Sequence, residues 1–157
     1  MTEAIGTGPA VTPELVELVE RPAAVVGIEG RVDEFPSLLG EAFGATAQAI
    51  SASGAVVAGP PFLRFYAFGE RVQADAGFPF VGTLTPTDRV RQILLPGGPA
   101  VTATHIGPYD EIAVTWERVT AWMGEHELAA SGPAWETYLK GPDEPGPPVT
   151  QIVFPIG

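Results

Sequence analysis

The chain has 157 residues, of which 45% are hydrophobic, so its length and composition suit one compact domain or two small fused modules. It contains no cysteine, which excludes disulfide bonds, thiolate metal sites and cysteine nucleophiles. Nineteen acidic and eight basic residues give a formal net charge of −11 without any run of Lys and Arg, so direct nucleic-acid binding is not expected. An acidic chain favours cationic partners, although solubility alone explains such a charge.

The N-terminal segment, residues 1–13, contains Gly6, Gly8 and Pro9 and is predicted to be a flexible tail. No basic region precedes an apolar stretch there, so we expect no secretory signal. No apolar run approaches the ~20 residues that a membrane-spanning helix needs. These features predict a cytoplasmic protein.

The first half of the chain predicts strand, helix, strand, strand. Residues 14–29 are rich in Val and Ile and interrupted at Pro22, as in a bent strand or two short ones. Gly54 is placed to cap the C-terminal end of the helix that follows. Two strands are predicted at about 62–68 and 71–77. The helix is predicted from apolar or small residues that recur every three or four positions: Phe35, Leu38, Leu39, Ala42, Phe43, Thr46, Ala49 and Ile50.

The second half repeats this order after a linker at residues 82–89, where Pro86 stops either neighbouring element. Asp110 is the predicted N-cap of the second helix. Two further strands are predicted at about 134–140 and 149–154. The second helix is predicted from the stripe Ile112, Ala113, Trp116, Val119, Thr120 and Met123.

The two halves also align residue by residue. Val16–Gly30 lines up with Ile93–Gly107, and Phe78-Pro79-Phe80 lines up with Phe154-Pro155-Ile156. We therefore predict an α+β fold in a single domain, residues 14–157, built from a duplicated strand-helix-strand-strand module. The modules, 14–81 and 90–157, are predicted to form one curved antiparallel sheet with both helices packed on it and a ligand groove between them.

The repeat changes character at one position. Gly59-Pro60 and Gly132-Pro133 each lead into an aromatic strand. On this alignment Phe62 matches Trp135, Leu63 matches Glu136 and Phe65 matches Tyr138. A carboxylate therefore stands among aromatic residues where the first repeat has Leu. Such departures from the pattern of a fold tend to mark function. The alternative is a solvated Glu on an edge strand.

Alternation along a strand places Glu136 and Tyr138 on one face and Trp135 on the other. Leu63 and Phe65 occupy the equivalent face in the first module. Glu136 can pair with a cationic ligand, to which aromatic rings add about 0.5–2 kcal/mol of cation–π attraction. Alternatively, burial can raise its pKa enough for general acid or base catalysis, with Tyr138 donating a hydrogen bond to water or ligand.

Other aromatic residues allow both functional and structural interpretations. Tyr109, before the second helix, is either a ligand contact or a hydrophobic staple. Trp116 is a core residue unless its helix borders the groove, and Trp135 and Phe62 are interpreted as core. His105 is interpreted as a hydrogen-bonded strand histidine rather than a base. Two scattered histidines provide no metal-site spacing, and no cofactor is expected.

Several segments together resemble the GyrI-like small-molecule-binding domain, which is also the effector-binding domain of bacterial drug-responsive transcription regulators. The similarity covers about residues 14–156 and implies a stand-alone member with the duplicated fold and a ligand-binding Glu at position 136. It rests on Pro22-Ala23, Gly59-Pro60-Pro61-Phe62, the segment His105 to Glu111, Trp116, Trp135-Glu136-x-Tyr138, and Thr150-x-Ile152 to Pro155.

The resemblance implies a function in binding bulky aromatic, often cationic, small molecules. One alternative is a hydrolase that opens cyclopropanoid genotoxins, with Glu136 as water-orienting base and Tyr138 as its partner. A second is a protein-partner module such as a gyrase inhibitor. The expected ligand contacts are Glu136, Tyr138, Leu63, Phe65, Tyr109, Trp116, Phe62 and Trp135.

Overall fold

The computed structural model describes residues 12–141 and 144–157, so the predicted tail lies almost wholly outside the described residues. Short 3-10 turns, Val32–Glu34 and Tyr109–Glu111, lead directly into the two helices. The elements run in the order β1 (Glu14–Leu18), β2 (Arg21–Gly30), α1 (Phe35–Ala52), β3 (Val56–Val57), β4 (Phe62–Ala67), β5 (Val72–Val81), β6 (Val90–Leu95), β7 (Gly98–Ile106), α2 (Ile112–Glu125), β8 (Trp135–Lys140) and β9 (Val149–Pro155).

The predicted α+β fold and its internal repeat are confirmed. Each half contains a long strand, a 3-10 turn that continues into a helix, and two later strands. Both predicted helices are present, and residues 14–29 form two strands, separated by residues 19–20, rather than one bent strand. Four of the strands match their predicted positions closely, although β5 continues to Val81. Gly54, at a φ of 77°, follows the C-cap Ser53 as predicted.

One compact unit comprises Leu18–Gly98. Its strands lie in the antiparallel order β4-β5-β2-β6, with β3 paired to β5. The helix α1 contacts β2 and β5. It buries much of the predicted stripe, namely Phe35, Ala42, Thr46, Ala49 and Ile50.

The second compact unit comprises Pro99–Gly157 together with residues 12–17. Its strand order is β1-β7-β9-β8. An apolar core lies between α2 and the sheet. The partly buried side chains of Trp122, Leu128 and Phe154 pack against it. This core contains Val101, Ala103, Val119, Met123 and Ile156.

The outer strands are exchanged relative to the sequence repeat. β1 precedes β2 in the chain but lies beside β7, whereas β6 precedes β7 but pairs with β2, with Arg91 opposite Val25. The compact units therefore differ from the predicted modules 14–81 and 90–157. The repeat identifies equivalent strands, but only long-range pairing decides which sheet each one joins.

The predicted N-cap of the second helix is wrong. Asp110 lies inside the 3-10 turn, whose N-cap is Pro108, and the N-cap of α2 is Glu111. Neither Pro108 nor Glu111 makes a capping hydrogen bond through its side chain. The turn begins at Tyr109, two residues after Gly107, whose φ of 135° favours glycine, so the chain starts to coil before Asp110 is reached. Within the described residues, no helix is both long and apolar enough to cross a membrane.

Candidate functional site

The site is built on the face of the β7-β9-β8 sheet that meets α2. In the strand register, His105 lies opposite Thr150, which in turn lies opposite Tyr138. Glu136 lies opposite Ile152 in the adjacent row. Because paired residues and residues two apart on a strand share a face, these side chains project to the same side. All of these elements belong to the same compact unit.

Glu136 is the buried carboxylate of this face, with 8% of its surface exposed. The indole Nε1 of Trp116 donates a hydrogen bond to Oε2 at 2.7 Å, and the hydroxyl of Tyr138 donates one to Oε1 at 2.9 Å. Burial raises the pKa of Glu136 above its usual value, while these hydrogen bonds and the nearby His105 partly oppose the rise. The carboxyl group is therefore held firmly in an environment that penalises its charge.

Aromatic rings surround this carboxylate. Tyr109 packs edge-to-face against Tyr138 with 6.0 Å between ring centroids, and Trp116 packs in the same way against Phe154 at 5.2 Å. Burial raises the pKa of the Tyr138 hydroxyl well above its ordinary value, and the neighbouring Glu136 raises it further, so the hydroxyl stays protonated. Tyr109 is 40% exposed and provides the solvent-facing edge of the cluster.

His105 connects the sheet to the start of α2. Its Nε2 lies 2.9 Å from the carbonyl oxygen of Pro108, and since a carbonyl only accepts, Nε2 carries the proton. Its Nδ1 lies 2.8 Å from the hydroxyl of Thr115 on α2. The interpretation of His105 as a hydrogen-bonded strand histidine is confirmed. These bonds help to hold the turn that carries Tyr109.

A second buried carboxylate, Asp75 on β5, was not singled out from the sequence. It is 2% exposed, and Nη2 of Arg91 lies 2.7 Å from both of its oxygens. The Tyr66 hydroxyl donates another hydrogen bond at 2.7 Å. Glu136 has no such basic partner among the described residues, since its hydrogen bonds come from an indole and a phenol. The charge of Asp75 is thus balanced by a salt bridge to Arg91, whereas Glu136 forms no salt bridge among the described residues.

The structure brings together Glu136, Tyr138, Tyr109 and Trp116, four of the predicted ligand contacts. Trp135 is buried and points to the opposite face of β8. The other three, Phe62, Leu63 and Phe65, lie on β4 in the Leu18–Gly98 unit, and their ligand contacts stay predictions, as does the groove.

Sequence reasoning assigned no role to Thr150 or Thr115. Thr150 is fully buried in β9, in the same cross-strand row as His105 and Tyr138. Strand periodicity was the available signal, because Thr150 and Ile152 are two residues apart and therefore share one face of β9. That face also carries the Glu136 carboxylate. Within residues 12–141 and 144–157, no cluster of His, Asp and Glu has the composition of a metal site.

Comparison with known proteins agrees with this architecture. The family model for the GyrI-like small molecule binding domain matches residues 12–156. Proteins with curated functions show no significant sequence similarity to the chain.

Solved structures of similar fold include a transcription regulation protein, hydrolases and a ligand complex. The EcmrR C-terminal domain superposes with a TM-score of 0.82 at 16% identity, covering 94% of this chain and 98% of that one. A hydrolase from Listeria innocua gives a TM-score of 0.68 at 17% identity, with coverages of 96% and 94%. SAV2435 bound to tetraphenylphosphonium gives 0.60 at 12% identity, with coverages of 93% and 94%.

Proposed function

This chain belongs to the GyrI-like small-molecule-binding domain family, and we propose that it binds bulky aromatic cations at the Glu136 site. The observation that carries the proposal is a buried carboxylate held by Trp116 and Tyr138 without a basic partner among the described residues. Small-molecule binding is the activity common to the family. The preference for cations goes beyond the family's activity, and it is supported by the buried carboxylate of Glu136.

The charge argument compares two states of the site. Without ligand, the ionised carboxylate has no salt-bridge partner among the described residues, and its burial raises its pKa. A cation placed beside it restores the missing partner and favours the ionised form. An uncharged ligand of the same shape gains no such interaction, so the site should select for positive charge.

The aromatic residues supply the rest of the recognition. Tyr109 and Tyr138 present ring surfaces beside the carboxylate, and an aromatic cation over such a ring gains about 0.5–2 kcal/mol depending on its solvation. The partial exposure of Tyr109 allows its ring to contact a ligand from the solvent side. Tetraphenylphosphonium is a suitable probe because the structural neighbour SAV2435 was solved in complex with it.

Titration calorimetry with tetraphenylphosphonium tests the proposal on three proteins: wild type, Glu136→Gln and Glu117→Gln. Glu117 is exposed on α2, so its replacement removes one negative charge outside the site. We expect Glu136→Gln to weaken binding by about 10- to 100-fold, since a close pair of opposite charges at a buried contact contributes about 1.5 kcal/mol or more. Glu117→Gln should bind almost as well as wild type. Equal weakening by both variants would indicate only a long-range effect of net charge.

A second candidate function is hydrolysis of cyclopropanoid electrophiles, favoured by the raised pKa of Glu136 and its contact with Tyr138. In that reaction the oxygen of water bonds to the strained ring carbon while the ring carbon–carbon bond breaks. Its electron pair moves through the conjugated system to the far carbonyl oxygen. Glu136 takes the proton from the water, and the phenolate that forms is then protonated, so the net change is addition of one water.

A spirocyclopropyl cyclohexadienone is a minimal substrate for this reaction, because water converts it to a phenol that carries a hydroxyethyl group. Mass spectrometry should then detect the added water faster than in buffer, and Glu136→Gln should return the rate to that of buffer. A wild-type rate equal to the buffer rate would reject hydrolysis of this substrate class and leave binding as the function.

A further inference from the structure

Thr150 presents a buried hydroxyl whose hydrogen bonds are not satisfied by any residue that the structure describes. The residue is fully buried, and its Oγ1 has no hydrogen-bond partner among residues 12–141 and 144–157. Buried hydroxyl groups are normally paired, and leaving one unpaired lowers stability. A fold that keeps Thr here, where Val would fit the same space, therefore requires an explanation.

The strand register shows which side this hydroxyl faces. Thr150 lies between Tyr138 on one neighbouring strand and His105 on the other. Tyr138 donates to Glu136, which is two residues earlier on the same strand and shares its face. The side chain of Thr150 consequently projects from the same face as the carboxylate, toward α2.

The flanking side chains already have other hydrogen-bond partners. Both ring nitrogens of His105 are engaged, one by Thr115 and one by the Pro108 carbonyl. The hydroxyl proton of Tyr138 is directed to Glu136. A group from outside this network is therefore the natural partner for the Thr150 hydroxyl.

We propose that Thr150 is a specificity-determining ligand contact, whose hydroxyl donates a hydrogen bond to a neutral oxygen acceptor on the bound aromatic cation. This inference rests on the proposed cation site. Glu136 and Thr150 lie on a cross-strand diagonal, for which backbone separations are about 7–8 Å. One aromatic ligand can span that distance. The preferred class is thus an aromatic cation that also carries a carbonyl or ether oxygen, rather than a purely hydrocarbon cation.

The test uses tetraphenylphosphonium and its three derivatives in which one phenyl ring carries an acetyl group at the ortho, meta or para position. The four cations share their charge, and only the derivatives present a carbonyl acceptor. Wild type should bind at least one derivative about three- to tenfold more tightly than the parent, as one neutral hydrogen bond would give.

Thr150→Val and Thr150→Ser separate the hydroxyl from the shape of the side chain. Thr150→Val should lose the preference for the acetyl derivative, bind the parent cation as wild type does, and melt at the same or a higher temperature. Thr150→Ser should keep the preference. A clearly lower melting temperature for Thr150→Val would instead show that the hydroxyl makes a structural bond, and would overturn the inference.

Glu136→Gln distinguishes failure of this inference from failure of the proposed function. If Glu136→Gln binds all four cations as tightly as wild type does, the cation site itself is wrong. If Glu136→Gln weakens all four but Thr150→Val retains the wild-type preference among them, only the role of Thr150 is wrong. The same conclusion follows if wild type prefers no acetyl derivative over the parent.

Discussion

Replacing Glu136 by Gln should stabilise the ligand-free protein while weakening its binding of cations. Gln has nearly the same shape, its oxygen can accept from the Trp116 indole, and its amide can donate to the Tyr138 oxygen. Both hydrogen bonds of the carboxylate can therefore be replaced. The main change is loss of a negative charge that is buried without a basic partner among the described residues.

The sign of this stability change follows from the pKa of Glu136, which burial raises. A carboxyl group whose pKa is higher in the folded protein than in the unfolded chain binds more protons when folded. Its contribution to stability is therefore greatest below the unfolded pKa and falls as the pH rises through the folded pKa. Each unit of increase costs about 1.4 kcal/mol once both states are ionised, so removing the charge should stabilise the folded protein at neutral pH.

Thermal unfolding between pH 4 and pH 8 measures this effect. Glu136→Gln should therefore raise Tm at pH 7, and for a protein of this size each 1 kcal/mol of stabilisation corresponds to a rise of about 2–4 °C. The difference between Glu136→Gln and wild type should grow with pH, whereas the control Glu117→Gln, at an exposed position, should show a small and nearly constant difference. A Glu136→Gln variant less stable than wild type at pH 7, or a difference that does not change with pH, would refute the reasoning.

Three further substitutions probe the surroundings. Trp116→Phe removes the indole donor to Glu136, so calorimetry should find unfolding easier by about 1.5–3 kcal/mol; an unchanged Tm would contradict the hydrogen bond. Asp75→Asn breaks the pair with the half-exposed Arg91 and should destabilise the fold by about 1–2 kcal/mol while leaving tetraphenylphosphonium affinity unchanged; a large loss of affinity would place Asp75 in the binding site. Tyr109→Ala should weaken binding of tetraphenylphosphonium by about two- to tenfold with little change in Tm, because the ring is partly exposed and offers about 0.5–1.5 kcal/mol of aromatic contact; unchanged affinity would exclude it from the site.

The internal repeat made the order of elements and the facing of Glu136 predictable. Period-two alternation placed Glu136 and Tyr138 together, and their hydrogen bond confirms that they share a face. The repeat aligned the strand of Glu136 with that of Leu63, so the carboxylate was recognisable as a departure from an apolar position. Family resemblance supplied its expected role.

Long-range partners could not be read from the same patterns. The exchange of β1 and β6 depends on which strand edges meet, and no local signal records that choice. Asp75 is balanced by Arg91, which lies on another strand, so its burial was invisible in the local pattern. The position of Thr150 beside the site likewise depends on a register that only the assembled sheet defines.

Proton release on binding of tetraphenylphosphonium tests the central claim most directly, because the claim is that a cation becomes the partner of the buried Glu136 carboxylate. Calorimetry in buffers of different ionisation enthalpy, repeated between pH 4 and pH 8, measures the number of protons exchanged. Wild type should release protons in the range where Glu136 titrates, since the bound cation favours the ionised form, and Glu136→Gln should lack this release. Identical proton exchange in the two proteins at every pH would contradict the account.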